Sequence, residues 1–145
     1  MGRKRSARQR HLARIRRTFQ QVEIARQMGM KLARLAPGRA TLLLDARKQH
    51  LHPQGAVHGG IIATLADTAL AMALFTLVPP TTRMATVEMS INYLAAHSRG
   101  RLRAEARVLR KGRRLAVGEV DVWNRAGVRV AKSLLTYSIR EQKEG

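Results

Sequence analysis

Val57-His58-Gly59-Gly60-Ile61-Ile62-Ala63-Thr64-Leu65-Ala66-Asp67 is the stretch from which the rest of the chain can be read. From Ile61 to Val78 the only polar side chains are Thr64, Asp67, Thr68 and Thr76. A helix that is apolar on nearly every face is a buried helix. A carboxylate inside it has to be paired, neutralised or used, because burying an unpaired charge is prohibitively costly. The two glycines ahead of it leave the first helical N–H groups uncovered, free to meet an anion or an oxyanion. A bare helix N-terminus and an isolated Asp two turns later make this element a candidate catalytic site. The competing reading of Asp67 is a structural ion pair with an arginine from a neighbouring element. His58 is also a candidate catalytic residue, although packing and helix entry weigh more than proton transfer for it.

Working outward, the helix starts near Gly59 and must stop at Pro79-Pro80. Upstream, residues 39–46 and 30–36 read as strands around Pro37-Gly38, a strong turn signal. Residues 8–27 read as one amphipathic helix, with Leu12, Ile15, Phe19, Val22 and Arg26 at spacings of three and four and Gly29 ending it. A loop rich in His, Pro and Gly runs from Lys48 to Val57.

Everything downstream reads as strand. Residues 84–94 alternate, Ala85, Val87, Met89, Ile91 and Tyr93 on one face and Thr86, Glu88, Ser90 and Asn92 on the other. Residues 101–109 alternate again, with Leu102, Ala104, Ala106 and Val108 together. Segments 114–123 and 128–140 follow, joined by a turn at Asn124–Gly127. The expected fold is α+β: one long buried helix wrapped by an antiparallel sheet of five or six strands, with an extra N-terminal helix.

The chain of 145 residues is one domain with 3% aromatics and no Cys. Its core must be built from Ala, Leu, Val, Ile and Met, and it has neither a disulfide framework nor thiolate chemistry. A cysteine-free chain fits a reducing compartment, and a cytoplasmic location is expected. The formal charge is +19. Eight cations, Arg3, Lys4, Arg5, Arg8, Arg10, Arg14, Arg16 and Arg17, precede the first acidic residue, Glu23. That run lacks the apolar centre of a secretory signal; it is Arg-rich and acid-free like a transit peptide but poor in Ser. Residues 1–17 are therefore set apart as a basic extension, 18–140 as the folded domain and 141–145 as a tail. Nucleic acid is a possible partner only through the basic extension, since one Trp, two Tyr and two Phe give few stacking platforms. Residues 61–78 are not expected to span a membrane, because Asp67 near the centre costs roughly 2.5–3.5 kcal/mol there.

His50, His52 and His58 have no flanking carboxylate or recognisable ligand spacing, so no metal is expected. No Gly-x-Ser-x-Gly elbow and no phosphate-binding loop of the nucleotide-hydrolase kind occurs. Arg110-Lys111-Gly112-Arg113-Arg114 gathers four cations around one glycine. It is either a solvated hairpin tip or a dock for phosphates, which arginine grips in bidentate fashion.

His58-Gly59-Gly60, six residues, then Asp67-Thr68-Ala69 resembles the signature of hotdog-fold acyl-CoA thioesterases of the PaaI-like type. The resemblance covers about residues 17–140 and takes in Gly29-Met30, the Val87-to-Tyr93 strand and the Arg110–Arg114 turn. It implies hydrolysis of acyl-CoA thioesters with no cofactor. The Gly59 amide would donate to the thioester carbonyl, and Asp67 would act as nucleophile or as general base towards water. Thr86 stands where the family usually has an assisting hydroxyl. His52 stands where it usually has an Asn, six residues before the His; an imidazole can also donate. Gly60 and the cations Arg110, Lys111, Arg113 and Arg114 would bind substrate, the cations at the coenzyme A phosphates. The resemblance also implies a homodimer or homotetramer, with the site completed across the interface. The alternative is a non-catalytic acyl-CoA binder or regulator of the same fold, with the basic N-terminus contacting nucleic acid.

Overall fold

The computed structural model describes residues 6–142, so Arg3, Lys4 and Arg5 of the basic run and residues 143–145 of the tail lie outside the described residues. Helix α1 spans Ala7–Gln20 and opens with a reciprocal capping box. The Ser6 hydroxyl accepts from the Gln9 amide and the Gln9 side chain accepts from the Ser6 amide. The single helix expected over 8–27 is in fact two. The amides of Gln21 and Val22 close on Thr18 and Phe19 carbonyls, Val22 turns extended, and α2 restarts over Glu23–Met28. The restart changes which side chain faces inward. Ala25 is buried, while Arg26, expected on the apolar stripe, is exposed and paired with Glu23 at 3.0 Å. Gly29, in the left-handed region at φ 75°, ends α2 as expected.

Ile15 and Phe19 of α1 enter the core, and the His11 ring nitrogen Nε2 donates to the Phe75 carbonyl at 2.9 Å. The boundary expected after residue 17 therefore falls inside α1.

Strands β1 (Met30–Ala36) and β2 (Arg39–Ala46) form the expected hairpin. The long helix α3 runs Gly59–Phe75, ending before the proline pair. Thr76 stops it: its hydroxyl donates to the Ala73 carbonyl at 2.6 Å and accepts from the Gly38 amide at 2.8 Å. His11 takes the last helical carbonyl, and the residue before a proline is steered out of the helical region in any case. Four strands follow: β3 (Arg83–Tyr93), β4 (Gly100–Lys111), β5 (Leu115–Asn124) and β6 (Arg129–Arg140). The sheet is antiparallel throughout, six strands in the order β1-β2-β4-β5-β6-β3.

The inner face of the sheet packs on α3. Leu65, Ala66, Ala69 and Leu70 of the helix meet a floor that includes Leu42, Leu44, Leu102, Val120 and Leu135, all buried. With so few aromatics, close approach replaces bulk. A Cβ at Gly118 would run into Leu70 Cδ1 and lie 2.9 Å from the Arg107 carbonyl oxygen. Gly118→Ala is expected to destabilise the fold by about 1–3 kcal/mol through overpacking. A lower urea midpoint would show it; an unchanged midpoint would mean that the helix has room to lift. The outer face carries an ion-pair ladder. Glu119 on β5 is held by Arg107 and Lys132, and Asp121 by Lys132 and Arg129. The Arg107 guanidinium and then the Lys132 ammonium hold the Glu119 carboxyl below its usual range.

Register in β3 departs from the simple alternation. Thr86 lies opposite Tyr137 but Glu88 opposite Thr136, so Val87 is a bulge and stands 60% exposed. An extra residue switches the side on which the residues before it fall. Met84 and Thr86 share the helix-facing side with Met89, Ile91 and Tyr93, opposite the buried inward residues of β6, Ser133 among them. Ala85 and Val87, expected on that side, are not on it. Among the described residues no helix is long and apolar enough to cross a membrane.

Candidate active site

The entry to α3 is built by His58, the N-cap. Its Nδ1 accepts from the Gly60 amide at 2.9 Å and its carbonyl accepts from Ile61 at 2.9 Å. Gly60, expected to bind substrate, thus has its N–H engaged by His58. The Gly59 amide takes no hydrogen-bond partner among the described residues. Tyr93, at the end of β3, covers Gly59 from the other side. Its hydroxyl donates to the Gly59 carbonyl at 2.7 Å, and a Cβ at Gly59 would lie 3.0 Å from its ring. The tyrosine leaves a larger residue at this position little room unless its ring shifts.

His52 lies in the tight loop that leads into this entry. Leu51 and Val57 bridge, the His52 amide bonds the Ala56 carbonyl, and His52 Nδ1 accepts from the Gln54 amide at 3.1 Å. A neutral ring so engaged carries its proton on Nε2, which leaves that nitrogen a donor. His50 is buried and structural: Nδ1 accepts from the Arg47 amide and Nε2 donates to the Met28 carbonyl, each at 2.9 Å. No cluster of three or more metal-ligating side chains occurs among the described residues.

Asp67 sits mid-helix and half-buried, on the side of α3 that turns towards β6 and the β3 edge. The other helix hydroxyls are satisfied within the helix, Thr64 on the Gly60 carbonyl and Thr68 on the Thr64 carbonyl. Asp67 is instead held by hydroxyls from the sheet. Thr86 Oγ1 donates to Asp67 Oδ1 at 2.8 Å, and the Tyr137 hydroxyl makes a short hydrogen bond to the same oxygen. No Lys, Arg or His forms an ion pair with Asp67 among the described residues, so the structural-ion-pair reading is replaced by a pair of neutral donors. Oδ2 takes no hydrogen bond among the described residues. Burial, reinforced by the hydrogen bond to Asp67, pushes the Tyr137 phenol up, so it stays a donor.

Sequence reading names Asp67, Gly59 and Thr86 but misses Tyr93 and Tyr137. The available signal is a tyrosine on the apolar face of the last strand, because a buried phenol needs a hydrogen-bond partner. The Arg110, Lys111, Arg113 and Arg114 side chains take no ion pair among the described residues, and all but the turn's Gly112 stand exposed. Ala116 lies opposite Tyr137, so Arg114 and Arg113 stand two and three residues beyond the Thr86–Tyr137 row. At the rise of a strand that is about 7–10 Å. Arg113 and Arg114 line an open hollow there with Ile139 and Arg140. The Gly59 amide, beside Tyr93 at the far end of β3, is remote from this turn on the same chain.

A long helix cradled by a six-stranded antiparallel sheet, with a carboxylate held at mid-helix, is the hotdog architecture. Residues 54–131, more than half of the chain, match the thioesterase superfamily, and the chain belongs to that family. It is 34% identical to acyl-coenzyme A thioesterase 13 of Homo sapiens over 99 residues, 66% of this chain and 68% of that protein. Among solved structures it resembles a mutant form of the phenylacetic acid degradation protein PaaI from Thermus thermophilus, at 31% identity and a TM-score of 0.74 over 80% of this chain and 97% of that one. A thioesterase family protein from Silicibacter pomeroyi superposes with a TM-score of 0.86 at 25% identity, over 91% and 99% of the two chains.

Proposed function

We propose that this protein hydrolyses acyl-CoA thioesters to the free acid and coenzyme A. The observation that carries the reading is the Asp67 carboxylate, held by two hydroxyls, without a counter-cation and with Oδ2 unengaged among the described residues. Asp67 attacks the thioester carbon or takes the proton of an attacking water. The carbonyl oxygen gathers negative charge as the carbon becomes tetrahedral. The Gly59 amide, aided by the helix dipole, stabilises that charge. The intermediate collapses and the C–S bond breaks. Where water attacked, the free acid forms and protonated Asp67 returns its proton to the leaving thiolate. Where Asp67 attacked, the thiolate takes a proton from water and the acyl–Asp67 anhydride is then hydrolysed to the free acid. The Arg110–Arg114 turn binds the coenzyme phosphates.

Gly59 and Asp67 are eight residues apart on α3, about 12 Å at the rise of a helix. An amide bonded to a carbonyl oxygen sits ~3 Å from it, and an attacking oxygen must approach the carbon within about 3.5 Å. Both groups of one chain cannot touch one thioester. The site is therefore shared by two copies, the amide from one protomer and the carboxylate from the other. The β3 edge of the sheet is open, and its regular stretch beyond the Val87 bulge, ending at the exposed Tyr93, is a strand template suited to that pairing.

The direct test is release of free thiol from short-chain, long-chain and aryl acyl-CoAs. Turnover of at least one of them is expected. Binding without turnover across the panel would overturn hydrolysis in favour of a non-catalytic acyl-CoA binder.

His52 is assigned as a donor to the substrate carbonyl. His52→Asn is expected to keep much of the kcat, since an amide also donates, and His52→Ala to lose appreciably more. Equal and complete loss in both would mean an imidazole-specific role such as proton transfer.

A further inference from the structure

We propose that Tyr137 is a positioning residue which, with Thr86, clamps Asp67 through Oδ1 and so makes Oδ2 the reacting oxygen. This rests on the reading of Asp67 as the catalytic carboxylate. Tyr137 is buried on the inner face of β6, where its hydroxyl must find a partner. Two acceptors are within reach: the Asp67 main-chain oxygen at 2.8 Å and the Asp67 carboxylate. A phenol has one proton, and the ionised oxygen is the stronger acceptor. Thr86 brings a second proton to the same carboxylate oxygen at 2.8 Å. Oδ1 is then doubly engaged, its lone pairs committed to sheet hydroxyls, while Oδ2 keeps its own.

The two donors are not independently flexible. Thr86 and Tyr137 are directly opposed on neighbouring antiparallel strands. Their spacing is set by backbone register, as for any cross-strand pair. The clamp therefore fixes both the rotamer of Asp67 and which of its oxygens points outward. The phenol is an apt clamp, because burial and the neighbouring carboxylate keep it protonated.

The test is Tyr137→Phe, which removes one oxygen and keeps the ring in the core. The measured quantities are kcat, KM and the unfolding midpoint, on whichever acyl-CoA the wild type turns over. A fall in kcat of about 10–100-fold is expected, the scale of a misplaced reacting group, with KM within about twofold. In the Asp67→Asn background the same change should have no further effect on the residual rate, since coupled residues are not additive. Three outcomes overturn the clamp: kcat within about twofold of wild type, an effect confined to KM, or an undiminished effect in the Asn background. In each of these the Asp67 reading stands if Asp67→Asn alone is inactive and falls if it is not. Should Tyr137→Phe fail to fold, Thr86→Val and Thr86→Ser probe the same clamp from the edge strand. Serine keeping kcat and valine losing it supports the clamp; equal retention or equal loss overturns it.

Discussion

Asp67→Asn is expected to remove turnover while leaving the fold and acyl-CoA binding in place. The asparagine carbonyl fits the Oδ1 position, where it accepts from Thr86 and Tyr137 as the carboxylate does. Its NH₂ group then falls at the Oδ2 position. A donor stands where a lone pair is needed, so neither direct attack nor activation of water is available. Helix packing is untouched, because the substituted atoms lie on the half-buried side of α3. Steady-state kcat on the folded variant is the measurement. Retention of more than about a tenth of the wild-type value, a barrier change under about 1.4 kcal/mol, would remove Asp67 from the chemistry.

Gly59→Pro is the matching change at the other end of the helix. Proline at the first helical position is well tolerated, and it deletes a single N–H. His58 already has the extended backbone that a following proline requires, at φ −58° and ψ 133°. The half-exposed Tyr93 ring has to give way slightly, as a Cβ there would lie 3.0 Å from it. A loss of about 10²–10³ in kcat is expected, the usual effect of removing one oxyanion donor. The more telling measurement is co-expression with Asp67→Asn. In a twofold dimer with shared sites, each mixed dimer has one site with both groups intact, so about a quarter of wild-type activity should return. No recovery, with mixed dimers present, would place amide and carboxylate of one chain in one site.

Much of this arrangement can be read from residue order, and the parts that cannot have identifiable causes. The α3 helix announces itself because eighteen residues carry almost no polarity. The β1–β2 turn follows from Pro37-Gly38, and β4 from the alternation of Leu102, Ala104, Ala106 and Val108, which a bulge at Leu109 then breaks. Helix ends are harder. The stop of α3 at Phe75 depends on Thr76 meeting the Gly38 amide and on His11 reaching the Phe75 carbonyl, both long-range contacts. The break between α1 and α2 is hidden because Leu12, Ile15, Phe19 and Val22 continue a helical spacing across it. In the site, Asp67 and Gly59 stand out by chemistry. Tyr137 does not, because its partner is seventy residues away and its own strand gives only a face. Thr86 is found only through the family signature; by periodicity alone it belongs to the wrong side of β3.

That wrong side has an implication for how such a protein can be gained or lost. Val87 acts as a parity bit in the edge strand. Deleting Val87, or inserting one residue between Thr86 and Glu88, would keep Thr86 and Asp67 encoded yet turn the Thr86 hydroxyl to the opposite face. The proposed chemistry is therefore vulnerable to frame-preserving single-codon changes that a list of the proposed site residues would not flag. A designer copying the site onto another sheet would have to copy the irregularity along with the residues.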